Sequence, residues 1–173
     1  MKRFLFIVFF AVFSTWTFAQ EGVRVVDSIE SLLPALQGRE KVEAMMELSR
    51  AFFDFSFDDC VAWSEKAIRL SKDIGDKELE ADVNYSLGIH YGYHSDLDLA
   101  QIFLKKAFEL YQQAGNDAKA FEALWNQAYF ELVLGNMDTA FSTFQEVMTM
   151  AEQRDDSLAC AQTSANMAVI QYQ

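Results

Sequence analysis

LDLAQIFLKKAFELYQQAGN, residues 97–116, decides the fold. Ala100, Phe103, Leu104, Ala107, Phe108 and Leu110 recur at three- and four-residue steps, which is the period of a helix with one buried face. Forty residues later the chain reads MDTAFSTFQEVMTMAEQRDD (137–156), and forty earlier FDDCVAWSEKAIRLSKDIGD (57–76). Stacking the three segments aligns Cys60 with Ala100 and Ala140, Ala67 with Ala107 and Val147, Ile68 with Phe108 and Met148, Leu70 with Leu110 and Met150, and Gly75 with Gly115 and Asp155. So many columns held in register without a gap mark an internal repeat, and each repeat is one supersecondary unit that needs its neighbours to bury its apolar face.

The intervening segments are helical as well. Gly88, Ala128 and Ala168 form a small-residue column within them. Ser56, Asp96 and Asn136 stand at the start of one helix of each unit, and Asp76, Asn116 and Asp156 at the start of the other; each side chain carries an oxygen able to cap a helix. Gly75 and Gly115 precede two of these caps, where a helix ends in a left-handed residue. The first unit departs by one residue: Leu48-Ser49 matches Leu87-Gly88 at a step of thirty-nine, so its inner turn, 54–56, is shorter. The expected segmentation is a leading helix over 24–36 broken near Pro34, helix pairs over about 39–74, 77–114 and 117–154, and a lone helix from 157.

Composition agrees. The 173 residues hold one proline and seven glycines, and half are hydrophobic, which favours a helical globular chain. Residues 1–19 stand apart: MKR is followed by the short apolar run FLFIVFFAVF and then Thr17-Phe18-Ala19, the layout of a secretory signal peptide cleaved before Gln20. Export to the periplasm or the cell exterior is the expectation, with no membrane span in the mature chain. Losing Lys2 and Arg3 leaves 12 basic against 26 acidic residues, a net charge of −14. Such a surface repels nucleic acid and anionic lipid. Cys60 and Cys160 fall several helices apart, too far for a disulfide, and read as small core residues.

The repeat resembles the tetratricopeptide repeat in a forty-residue form. Leu87-Gly88, Tyr91, Ala100, Leu104 and Ala107 match that pattern in one unit, and Ala128, Gly135, Ala140, Phe144 and Val147 in the next. Ser95, Gln127, Glu131 and Asn84 depart from it. The resemblance covers about residues 39–173 and implies an all-α right-handed solenoid of antiparallel helix pairs, with repeats at 39–76, 77–116, 117–156 and a partial one at 157–173, behind a leading segment at 20–38. It implies a non-catalytic scaffold for protein or peptide partners, because such repeats serve many systems.

DSIESLLPALQGREKVEAMMELSRAF (27–52), following a signal peptide, also looks like the opening of exported bacterial repeat proteins, in many of which a membrane helix and a histidine kinase or DNA-binding domain follow. That resemblance implies the sensory segment of a larger signalling protein. The last helix, with Ala165, Ala168 and Val169, has no second helix to cover it. The expectation is therefore that the natural chain continues; the alternatives are a terminal helix that caps the stack and one that pairs with a second copy.

In stacked pairs the first helices line a concave face. Here that face should show Tyr85, Ile89 and Tyr93 from one unit and Trp125, Tyr129, Leu132 and Val133 from the next, framed by Asp82 and Glu122, with Met46, Arg50 and Phe53 in the first unit. Exposed aromatics in such a groove suit a peptide or helix; the alternative is that several pack between repeats. His90 and His94 lie four apart on one helix face, which could offer two zinc ligands, with Asp96 and Asp98 as further oxygen donors. No third histidine exists and no glutamate lies between the two, so a metalloprotease motif is absent and a plain helix-face pair is expected. The sequence has no phosphate loop or nucleophile elbow, and neither catalysis nor a cofactor is expected, a metal-dependent enzyme using His90 and His94 being the remaining alternative.

Overall fold

A computed structural model describes Gly22 and residues 24–172. The signal-peptide reading of residues 1–19 lies outside the described residues. Among the described residues the chain is all helical: α1 over 24–32, then α2 Gly38–Phe52, α3 Phe57–Ile74, α4 Lys77–Tyr93, α5 Leu97–Ala114, α6 Asp117–Leu134, α7 Met137–Gln153 and α8 Ser157–Gln171. None of these helices is long and apolar enough to cross a membrane. Helix α1 stops two residues before Pro34, short of the expected 36, because the residue before a proline is pushed out of the helical region and the ring removes a donor.

Helix starts at 77, 117 and 157 alternate with starts at 57, 97 and 137. Local chemistry sets them. Asp76 Oδ1 accepts from the Leu79 N–H at 3.0 Å, Asp96 Oδ1 from Leu99 at 3.2 Å, Asn116 Oδ1 from Lys119 at 3.1 Å and Asp156 Oδ1 from Ala159 at 3.0 Å. Asn136 makes no such cap; its Nδ2 donates instead to Glu131 Oε2 at 2.8 Å, a bond strengthened by the carboxylate charge. Ser56 donates its hydroxyl to Asp59. Gly75, Gly115 and Gly135 take φ of +78°, +72° and +81° at the turns, whereas Ser95 and Asp155 adopt left-handed φ of 69° and 52° with a side chain present.

By contact density the chain divides into two compact units, one through Leu70 and one from Ser71 onward. In the first unit α2 buries Val42, Met45, Leu48 and Ser49. Ser49 meets α3 through polar groups: its hydroxyl lies 2.7 Å from Ser64 Oγ and 3.3 Å from Cys60 Sγ, with all three residues buried. Burial pushes the Cys60 thiol above its ordinary range, with the Ser49 hydrogen bond opposing. Cys160 is half-buried rather than a core residue, and both cysteines are free thiols.

In the second unit α4 through α8 pack in chain order, each on the next. Gly88 of α4 lies against Leu104 of α5, and Ala81 shares a core cluster with Ala107, Leu110 and Tyr111; the pairing of early with late residues makes the two helices antiparallel. A Cβ at Gly88 would stand 2.9 Å from Leu104 Cγ and 3.1 Å from its backbone nitrogen, so the two helices approach to a distance that glycine alone permits without movement. The next pair places Ala128 in that column and fills the seam with the fully buried Phe144 and Ala140.

Candidate functional site

The aromatic strip expected from the sequence is built on α4 and α6, and its residues fall into forty-step columns: Tyr85 with Trp125, Ile89 with Tyr129, and Tyr93 with Val133. Four-residue spacing keeps the three columns on one face of each helix. Exposure rises along the strip. Tyr85, Ile89 and Trp125 are half-buried, Tyr129 is 40% exposed, and Val133 and Tyr93 are 55% and 75% exposed. Leu132, also expected on this face, is half-buried.

The buried end of the strip links the repeats. Asn126 Nδ2 donates to the Tyr85 hydroxyl at 3.0 Å, tying α6 to α4. The Tyr85 ring also stands edge-on to Tyr111, with centroids 6.4 Å apart. Burial, then the Glu122 carboxylate, holds the Tyr85 hydroxyl above its ordinary value. Trp125 stacks on Tyr129 at 5.7 Å with planes 6° apart and meets Phe144 edge-on at 6.5 Å. Tyr85 and Trp125 are thus largely packed between helices, and the open part of the strip is Tyr93, Tyr129 and Val133.

Beside the strip a polar network fixes α4, α5 and α6. Lys119 Nζ donates to Asp82 Oδ1 at 2.8 Å and to Glu78 Oε1 at 3.0 Å, and Asn116 Nδ2 also donates to Glu78 at 3.0 Å. Tyr111 donates its hydroxyl to Asp82 at 2.7 Å. Burial alone would lower the Lys119 ammonium; the hydrogen bonds and charges of Asp82 and Glu78 outweigh it and raise the group above its ordinary value. Tyr111 is raised strongly, first by burial and then by its bond to Asp82. Asp82 therefore belongs to this network rather than to an open acidic rim, while Glu122 stays exposed.

His90 is 8% exposed on α4, and His94 is exposed at that helix's C-terminal cap. The two rings thus have different surroundings, one within the packing and one at the surface. Among the described residues no group of three or more His, Cys, Asp or Glu is placed to hold a metal ion. Met46, Arg50 and Phe53 belong to the first unit; Arg50 Nη1 pairs with Glu47 at 2.8 Å on the surface of α2.

Sequence reading missed Gly92. A Cβ there would clash with the edge of the Phe130 ring at its Cζ, so this glycine lets Phe130 of α6 lie directly on the α4 backbone and close the core beneath the strip. The signal was present: Gly88 and Gly92 lie four apart, a glycine stripe on one face of α4.

No protein-family model matches the chain, and no curated protein is detectably similar to it. Solved structures do share the fold. A signal transduction ATPase with a tetratricopeptide repeat sensor from Pyrococcus horikoshii superposes with a TM-score of 0.75 at 17% identity over 83% of this chain and 23% of that one. A Rap protein complexed with competence and sporulation factor gives 0.73 at 13% identity over 85% and 41%. A kinesin light chain with nearly identical tetratricopeptide-like repeats from Podosopora anserina gives 0.73 at 11% identity over 91% and 78%. The chain thus spans under half the length of the first two. At these identities the matches define the fold alone, a tetratricopeptide-like helical repeat.

Proposed function

We propose that the chain is a non-catalytic scaffold that captures a peptide or helix of a partner protein on the strip formed by α4 and α6. The observation that carries this reading is the exposure of Tyr93, Tyr129 and Val133 in the forty-step columns of α4 and α6, continuing a strip whose Tyr85 and Trp125 are half-buried. An apolar segment flanked by basic residues fits best, because Glu122 is exposed beside the strip and the chain carries a net charge of −12. The Rap neighbour, solved with a bound factor, supports partner capture by this fold.

The test is a peptide selected from a random library against the whole protein. Replacing Tyr93 with Ala and Val133 with Asp, both surface positions, should weaken that peptide about tenfold or more without changing the circular dichroism. Equal affinity would reject the strip as the binding surface.

Two further parts of the reading rest on sequence. Export follows from the layout of residues 1–19, and fractionation of expressing cells that leaves the unprocessed chain in the cytoplasm would remove it. A sensory role within a signalling protein draws on the ATPase neighbour that carries its repeats as a sensor. It predicts that binding at the strip changes the output of an attached signalling domain; a fusion whose output ignores the selected peptide would contradict it.

A further inference from the structure

Asp82 of α4 and Glu122 of α6 hold the same place in consecutive repeats, forty residues apart, and the chain treats their charges differently. Asp82 is answered from within. Lys119 Nζ donates to it at 2.8 Å and the Tyr111 hydroxyl at 2.7 Å, and the same ammonium stands over the Tyr111 ring, 5.7 Å from its centroid. Forty residues on, the counterparts of Lys119 and Tyr111 are Ala159 and Ala151, both buried and neither with a side-chain donor. Arg154, at the end of α7, lies over the Phe121 ring at 5.0 Å. Glu122 itself is exposed.

Glu122 lies among aromatic rings. Glu122, Trp125, Tyr129 and Val133 follow at steps of three, four and four, which puts the carboxylate on the strip face of α6. Trp125 stacks on Tyr129, and 40% of Tyr129 is open to solvent. The charge is felt on the neighbouring helices too: after burial, the Glu122 carboxylate helps to raise the Tyr85 hydroxyl on α4, and it adds to the rise of Tyr111 on α5. One face therefore carries a negative charge, ring surfaces beside it and an apolar end at Val133 and Tyr93. A guanidinium suits the first two at once, because its edge pairs with a carboxylate while its plane lies on a ring.

We propose that Glu122 selects the partner: it pairs with one arginine of the bound segment, whose guanidinium lies along the Trp125 and Tyr129 rings. This rests on the strip being the docking surface. The contact of Lys119 with Asp82 and Tyr111 is the precedent within the chain, a cation held by a carboxylate and an aromatic face. There the chain supplies the cation, and at Glu122 the partner supplies it. The pairing also sets a register. Val133 is eleven positions beyond Glu122 on α6, about 16 Å along the helix. In an extended segment that distance separates the arginine from its apolar anchor by about five residues.

The experiment uses the whole protein and the library-selected peptide, with affinity read by fluorescence anisotropy. The selected sequences should share one basic residue at a fixed place, arginine more often than lysine, with an apolar residue about five positions away. Glu122→Lys should weaken the peptide about tenfold or more with unchanged circular dichroism. Exchanging the shared basic residue of the peptide for glutamate should recover most of that loss on the Glu122→Lys protein and weaken binding to the unmodified one. Added salt should weaken binding to the unmodified protein more than to Glu122→Gln. Selected sequences without a shared basic residue would overturn the proposal, as would a loss at Glu122→Lys that the exchanged peptide does not recover. Equal affinity for Glu122→Lys, with Tyr93→Ala still weakening the peptide, would overturn it and leave the scaffold reading standing. Equal affinity for both variants would remove the strip reading and this proposal together.

Discussion

The seam between paired helices is built in two ways in this chain. In the first pair Ser49 faces Ser64 and Cys60, and the helices meet through buried hydroxyls and a thiol that satisfy one another. In the second pair the corresponding positions are Gly88, Leu104 and Ala100, and the α4 backbone at Gly88 lies against the side chain and backbone of Leu104. Both seams place a small residue where two helices come close. They differ in how they fail: the polar seam depends on every partner being present, and the apolar seam depends on space.

The largest expected effect tests space. Gly88→Leu would drive a side chain into the Leu104 backbone and should cost about 3 kcal/mol or more, read from urea unfolding. A loss within experimental error of zero would mean that the α4–α5 seam is not tight. Next comes the polar seam. Ser49→Ala and Ser64→Ala should each cost about 1–2 kcal/mol, and the double variant should cost less than their sum by about 1 kcal/mol, since either change alone already removes the bond the two hydroxyls share, while Ser49 keeps its contact with Cys60 when Ser64 is replaced. Strict additivity would show that the two hydroxyls do not depend on each other.

A smaller effect, of opposite sign, compares two inner turns. Gly135 holds a left-handed φ of 81°, while Ser95, forty residues earlier, holds 69° with a side chain. Ser95→Gly should stabilise the chain by about 0.5–1 kcal/mol, seen as a higher urea midpoint.

A last effect appears in alkali. Folding holds the Cys60 thiol above its ordinary 9.0 and the Tyr111 hydroxyl above its ordinary 10.0, chiefly by burial. The unfolded chain gives up these protons first, so stability is intact below those values and declines as pH rises past them. Cys60→Ala should flatten the decline that begins near the thiol value in the first unit, and Tyr111→Phe the decline that begins near the phenol value in the second. Urea midpoints measured across that range check both.

Much of the fold was legible because it rests on local chemistry. The caps at Asp76, Asp96, Asn116 and Asp156 need only a side-chain oxygen at the right offset, and the glycine turns need only a left-handed residue. Asn136 departs from the expectation: it makes no side-chain cap, and its amide nitrogen donates to Glu131 five residues earlier. The site was less legible because periodicity assigns a face and not a depth. It placed Tyr85 and Tyr93 together, yet Asn126 and Tyr111 draw the first into the packing, while the second stands in the open. The link from Lys119 to Glu78 and Asp82 spans 41 and 37 residues, and nothing local announces it. Gly92 is explained only by Phe130, a residue of the next repeat.

The most direct test of the scaffold account is amide and methyl chemical-shift mapping of the intact protein as a library-selected peptide is added. The account predicts saturable shifts concentrated at Tyr93, Tyr129 and Val133 and their neighbours on α4 and α6, with the Ser49 and Ser64 signals unmoved. Shifts that spare those three residues and gather elsewhere would contradict it.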